Sequence, residues 1–290
     1  KINQDEFTGA HYIGDLVINK DATISWRLNG EAKPIRDFPL KDNKHEGAIE
    51  IFEMPFMING EAQRNRYICG VDGYDDDASD TVSLGSIFVL DLFTDRIVAE
   101  YTGRPKYAND FFEICRRLGL FYNAQINYEN DKKGMLGYFD RKNSTYLLSE
   151  TLQSLKDAEM VRGNLYGNKK YGTNSGRFIN ARGRQLLRDW MMTPAHGDDA
   201  KLNLHKIRSI GLLLEAIKWN PNGNYDRISA LGMLMLLRED RQKYLDARMS
   251  GGSIVTGTGL QFDRYFIKNS GGTLSHRREA WPDQIPGESL

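Results

Sequence analysis

Cysteine is scarce in these 290 residues: there are two, Cys69 and Cys115, each inside an apolar run. A disulfide framework is thereby excluded, and neither cysteine has the spacing of a zinc ligand. The two read as buried thiols suited to a reducing compartment. No apolar run approaches the roughly 20 residues needed to cross a bilayer. The N-terminus, KINQDEFTGAHY, has no apolar stretch of the signal-peptide kind and no initiator Met, so a piece of a longer protein is expected. Net charge is lacking too, since 39 Lys and Arg balance 39 Asp and Glu. That removes the simplest argument for binding nucleic acid. A Gly-x-x-x-x-Gly-Lys-Ser/Thr phosphate loop is also absent, which excludes a P-loop nucleotide site.

What is present is a hydrophobic fraction of 40%, enough for a real core, and charge that is unevenly spread. Five Asp and no base stand between Asp72 and Asp80. Seven Lys or Arg and no acid stand between Arg162 and Arg188. Such local patches govern cation and polyanion binding more than the total does.

Residues 1–46 are polar and turn-rich, with a strand expected at 23–28, and read as a linker or small β excursion. Residues 47–56 (GAIEIFEMPF) alternate weakly and end near Pro55, which suggests an edge strand. A regular stretch follows. Strands are expected at 67–71, 82–92 and 96–102, the last two joined by a hairpin-sized connection. Residues 107–118 carry Phe111, Phe112, Cys115 and Leu118 on one helical stripe. A fourth strand is expected at 124–128, a short helix after Asn130, and a fifth strand at 145–148. Helices are expected at 178–192, 202–219 and 227–248. The resulting class is α/β: a mixed sheet of the ribonuclease H type, three antiparallel strands then parallel ones, flanked by helices. It should occupy residues 47–249. Residues 250–290, rich in Gly, Ser and Pro, read as a flexible tail with one docking segment, FDRYFI.

The acids raise the chemical question. Asp72 closes the first of these strands, and Glu129 follows the fourth. Asp226 precedes RISALGMLMLL, at or near a helix start. In a mixed sheet with a helical crossover, the first and fourth strands lie side by side, which brings Asp72 and Glu129 together. Converging carboxylates repel one another unless cations share them, and Mg²⁺ or Mn²⁺ prefers such oxygen ligands. Two such ions can activate a water and stabilise the leaving oxygen of a phosphodiester. Each acid also has a plain alternative: a strand-end turn for Asp72, an ordinary strand-end acid for Glu129, a helix N-cap for Asp226. Asp75, Asp76 and Asp77 read as a solvated loop, and Asp80 as an intermediate case. His196 and His205 read as solvated or capping.

Four segments carry a resemblance to a known family. "YICGVDGYDDDASD", "INYENDKKG", "YGTNSGRFINARGRQLLRDWM" and "NGNYDRISALGMLML" appear in the order of motifs in the nuclease domain of large terminase subunits from tailed bacteriophages. The resemblance spans residues 47–241. It implies a ribonuclease H-like fold and an endonuclease that cuts duplex DNA concatemers during genome packaging, using two Mg²⁺ or Mn²⁺. Asp72, Glu129 and Asp226 would be both catalytic residues and metal ligands. It also implies the portal and small terminase subunit as partners in the full motor, a monomeric isolated domain, and the host cell cytoplasm as location. The family commonly has two adjacent acids before the last helix, where this chain has Tyr225. Asp198 and Asp199 offer a substitute pair upstream. The missing P-loop implies a nuclease without its ATPase motor.

Duplex contacts are expected from Lys132, Lys133, Lys169, Lys170, Arg177 and Arg182, which would follow phosphates without reading sequence. A solvated basic face is the alternative. Two other readings keep the same acids. One is a different ribonuclease H-like nucleotidyl transferase, such as a junction resolvase or transposase. The other is a non-catalytic module that docks on DNA or the portal.

Overall fold

The computed structural model describes residues 12–41, 45–75, 83–131, 133–157, 170–174, 176–221, 223–249, 267–268 and 274–275. The strands are β1 (Tyr12–Ile18), β2 (Ile24–Leu28), β3 (Ile49–Ile51), β4 (Met57–Ile58), β5 (Glu61–Ala62), β6 (Tyr67–Asp72), β7 (Gly85–Asp91), β8 (Arg96–Gly103), β9 (Gln125–Tyr128), β10 (Pro194–Ala195), β11 (Asp198–Leu202), β12 (Ile267–Lys268) and β13 (Leu274–Ser275). The helices are α1 (Ala108–Phe121), α2 (Gly134–Arg141), α3 (Gln153–Asp157), α4 (Arg177–Met191), α5 (Ile210–Lys218) and α6 (Asp226–Met249). None of the described helices is long and apolar enough to cross a membrane.

Seven strands form one mixed sheet in the order β2-β1-β3-β8-β7-β6-β9. β6, β7 and β8 are sequential antiparallel neighbours, and β9 returns through α1 to lie parallel to β6. Their near-continuous burial explains why these strands read as apolar runs: every residue of β7 is buried. One face of the sheet packs on α1 and α2 through Cys69, Val71, Ile87, Val89, Phe111, Cys115 and Ile126. The opposite face packs on α4, α5 and α6 through Ile68, Phe88, Leu90, Ile179, Leu187 and Leu234. Each fully buried side chain of this kind contributes roughly 1.5–3 kcal/mol. Both cysteines are buried and unpaired, as expected from their apolar settings.

Three expectations are corrected. Residues 47–56 do not make an edge strand, because β3 lies between β1 and β8. The edge belongs to the β1–β2 hairpin, whose polar and glycine positions hid its alternation. Residues 145–148 turn in a short 3₁₀ segment, Thr145–Leu147, and only Leu148 makes a single parallel bridge, to Ile126. The single helix expected at 202–219 is three elements: the end of β11, a 3₁₀ turn at Asn203–Lys206, and α5. Ser209 starts α5 by accepting the Leu212 N–H at 3.1 Å, which satisfies one of the amides a helix start leaves open. Asn203 is held away from that helix by the Trp190 carbonyl and Asp95.

One helix decides the geometry of the site. α6 lies so close on β6 that a Cβ at Gly70 would sit 2.3 Å from Leu234 N and 2.4 Å from the Ala230 carbonyl oxygen. α6 also touches α4 backbone to backbone, since a Cβ at Gly183 would be 3.0 Å from Gly232 Cα. These glycines stand equally far from the start of their helices.

Candidate active site

The register of β6 and β9 pairs Gly70 with Asn127 and Val71 with Tyr128. The next step brings Asp72 beside Glu129, on strands about 4.8 Å apart. The facing direction follows from neighbours. Gly70 faces α6, and the Asn127 side chain donates to the Met233 carbonyl of α6 at 2.8 Å. Alternation along the strands turns Asp72 and Glu129 to that same side. Both are half-buried. Glu129 stands at the rim of the sheet, where it also borders a small crevice with Gly73, Asp75 and Met135.

The start of α6 lies at the same end. The Asp226 carboxylate accepts from Ser83 Oγ at 2.9 Å and from Leu84 N at 3.0 Å. Those residues lead into β7, whose Ser86 is the register partner of Asp72. Asn224 Nδ2 adds a third bond at 3.2 Å. Burial raises the Asp226 pKa, and the bonds from Leu84 and Ser83 oppose that rise. Asp226 is therefore a tie between α6 and the sheet, which differs from the helix N-cap expected as its plain alternative. Its oxygens are turned to β7, and among the described residues no three His, Cys, Asp or Glu form a group able to hold a metal ion. Asp72 and Glu129 fit a hard cation by donor chemistry. Asp226 is near their end of the sheet without completing a three-carboxylate cluster.

The other sequence candidates separate clearly. Asp198 pairs with Lys206 at 3.1 Å, beside the β7–β8 turn and so at the opposite end of the sheet. Asp199 lies with it in β11, within a short hairpin. Neither can substitute for Asp226 in this arrangement. Tyr225, next to Asp226, is buried. Its hydroxyl donates to the Lys218 carbonyl at 2.7 Å, and its ring packs on Phe38. Asp75 accepts from Gly134 N at 3.3 Å, so it tethers the start of α2 and is more than a solvated loop residue. Asp76, Asp77 and Asp80 lie outside the described residues. His205 caps, as expected: its Nδ1 accepts from Leu202 N at 2.9 Å.

The basic candidates fall partly at this end. Residues 171–174 run beside the end of β9, with Thr173 N donating to Tyr128 O and Asn130 N donating to Thr173 O, both at 2.9 Å. This sets exposed Lys170 and exposed Arg177, the first residue of α4, on the flank of Glu129. Lys133 is exposed just before α2. Arg182 points back to α6, where it pairs with Glu239 at 2.5 Å, so its charge is already matched. Lys132 and Lys169 lie outside the described residues. Since α4 and α6 run in parallel, both present their positive dipole ends at the carboxylate end of the sheet.

Sequence reasoning missed Arg104. It donates to the Ser83 carbonyl at 2.7 Å and lies over the Tyr74 ring, 4.2 Å from its centroid. It thereby braces the loop that holds Asp226. The only signal was its place in the Gly103-Arg104-Pro105 break.

Set against known proteins, no family model matches the chain, and no curated protein matches it. Among solved structures it is similar to the large terminase nuclease from thermophilic phage G20c. That likeness has 13% identity, covers 66% of this chain and 89% of the other, and has a TM-score of 0.30. So faint a likeness adds no weight to either the fold or the chemistry.

Proposed function

We propose that this chain is a divalent-metal-dependent endonuclease of the ribonuclease H-like type, acting on duplex DNA as terminase nucleases do. The observation that carries the reading is the placement of Asp72 and Glu129 at the ends of neighbouring parallel strands, on one side of the sheet. The strand order β8-β7-β6-β9, with β6 antiparallel to β7 and parallel to β9, is the order this fold requires. The ordered sequence motifs support the same reading.

In this proposal Asp72 and Glu129 would hold two Mg²⁺ or Mn²⁺, with Asp226 reaching them only after release from Ser83 and Leu84. A cation so held polarises a phosphodiester and lowers the pKa of a bound water. The chain's own contribution is to concentrate negative charge at one sheet end and to aim two helix starts at it. Lys133, Lys170 and Arg177 position a phosphate backbone there. Double-stranded DNA is the substrate, the portal and small terminase subunit are partners in a full motor, and the host cytoplasm is the place of action.

The test is plasmid digestion with Mg²⁺, with Mn²⁺ and with EDTA. Nicking or linearisation that depends on the metal supports the proposal, and undiminished cutting in EDTA refutes it. A second reading has an observation of its own. The engagement of Asp226 with β7 suits a docking module in which the acids are structural. Such a module binds DNA equally well with and without Mn²⁺ and never cuts it.

A further inference from the structure

At the end of the sheet opposite Asp72, a separate hollow of about 120 Å³ is lined by Glu53, Arg96, Lys201, His205, Lys206 and Arg208. Arg96 opens β8 and pairs with Asp91, whereas Thr102 near the other end of β8 pairs with Ser86. The hollow is thus about 20 Å along the strand from the carboxylates. Four cations face one carboxylate here. Glu53 meets Arg96 at 3.6 Å and Arg208 at 3.9 Å, both longer than a normal hydrogen bond. Asp198 engages Lys206 from outside the hollow. Asp198 also acts electrostatically on Lys201, and among the residues that line the hollow cations outnumber carboxylates.

Arg96 Nε is buried and has no hydrogen-bond partner among the described residues. Arg208 is anchored by donation from one terminal nitrogen to the Phe52 carbonyl at 2.6 Å, which fixes its guanidinium against the wall. The Leu202 N–H bond makes Nδ1 of His205 an acceptor, so the neutral ring carries its proton on Nε2. Partly enclosed guanidinium forks with an imidazole N–H and two ammonium groups match the several oxygens of a phosphoryl group better than a single carboxylate does.

We propose that this hollow is an anion site for a phosphoryl group, distinct from the carboxylate end and independent of whether that end cuts DNA. The phosphoryl group comes either from a nucleic-acid backbone or from free phosphate. The test titrates the full chain with inorganic phosphate at constant ionic strength, following the ring signals of His205 by NMR. Saturable binding is expected, at least tenfold weaker in Arg96→Gln/Arg208→Gln and in Lys201→Gln. The single variant keeps the test decisive should the double variant melt early. Competition by a short DNA duplex then supports the site with the backbone as its source. Saturation unaffected by the duplex supports it with free phosphate as its source. Absence of saturation, saturation equal in wild type and both variants, or binding of an acidic peptide without phosphate overturns the proposal.

Discussion

The two ends of the central sheet treat carboxyl groups in opposite ways. At the end where β6 and β9 stop, burial pushes Asp226 above its ordinary pKa and carries Glu215, in the same cleft, up to about 7. At the other end, a hydrogen bond from Lys206 holds Asp198 below its ordinary value. The two settings differ in what surrounds the carboxyl group: burial at one end, a lysine partner at the other. Strand direction builds this contrast. β6 and β9 both finish at the acidic end, and α4 and α6 both begin there. Charge placement along a sheet, more than total charge, decides what each end can bind.

Neutralising one acid at each end should have the largest effect. If the proposed function holds, Asp72→Asn is expected to lower metal-dependent DNA cleavage by at least about a hundredfold, since loss of a metal ligand costs several kcal/mol, while Asp198→Asn leaves it unchanged. Plasmid nicking rates check this, and equal rates in both variants would remove the functional meaning of the acidic end. Melting curves should show both variants folded.

Next in size is a pH effect. The folded pKa of Glu215 is about 7 against an ordinary 4.5, mainly because the group is buried. The folded protein thus keeps a proton that the unfolded chain has lost, and that contribution is complete below 4.5 and vanishes as pH rises through 7. Wild type should lose about 3 kcal/mol of unfolding free energy across this window relative to Glu215→Gln, which cannot titrate there. Denaturation in urea at several pH values measures it. Parallel curves for the two proteins would show that Arg227, 3.6 Å away, already keeps Glu215 ionised.

A third change attacks how the acidic end is held. Gly70→Ala places a methyl group against the α6 backbone and should cost about 1–3 kcal/mol. Gly30→Ala, whose added Cβ meets nothing within 4 Å, should stay within about 0.5 kcal/mol. Chemical denaturation compares them, and equal stabilities would mean that α6 shifts freely on the sheet.

The smallest effect is electrostatic. Lys170→Gln with Arg177→Gln should flatten the salt dependence of DNA binding by about two units of slope. Arg182→Gln, whose partner is Glu239, should mainly weaken the contact between α4 and α6. Fluorescence anisotropy at several salt concentrations separates the two, and an unchanged slope in the first variant would mean that this flank faces away from DNA.

Much of the sheet was legible because strands buried on both faces must be apolar throughout. β6, β7, β8 and β9 announce themselves that way, and the strand-end positions of Asp72 and Glu129 follow from them. The β1–β2 hairpin was not legible as part of the sheet, since its outer strand is half exposed and its residues alternate poorly. The role of Asp226 was visible only in part. Its place at a helix start is local, but its partner Leu84 N lies 142 residues away in sequence. No local pattern encodes that bond. The basic hollow was hidden for the same reason, its residues being drawn from the segment after β3, the start of β8, β11 and the turn before α5.

The close seat of α6 on Gly70 has a consequence in time. Asp72 and Glu129 come from the first half of the chain, and their strands can pair as soon as α1 has crossed over. The helix start that completes their surroundings is contributed by residues far downstream, at a loop-closure cost that grows with the logarithm of the intervening length. During synthesis from the N-terminus, a growing chain therefore carries its pair of acids well before it carries Asp226. Fragments ending before residue 226 lack the final helix altogether. During synthesis the surroundings of the two acids are therefore complete only once α6 has been made.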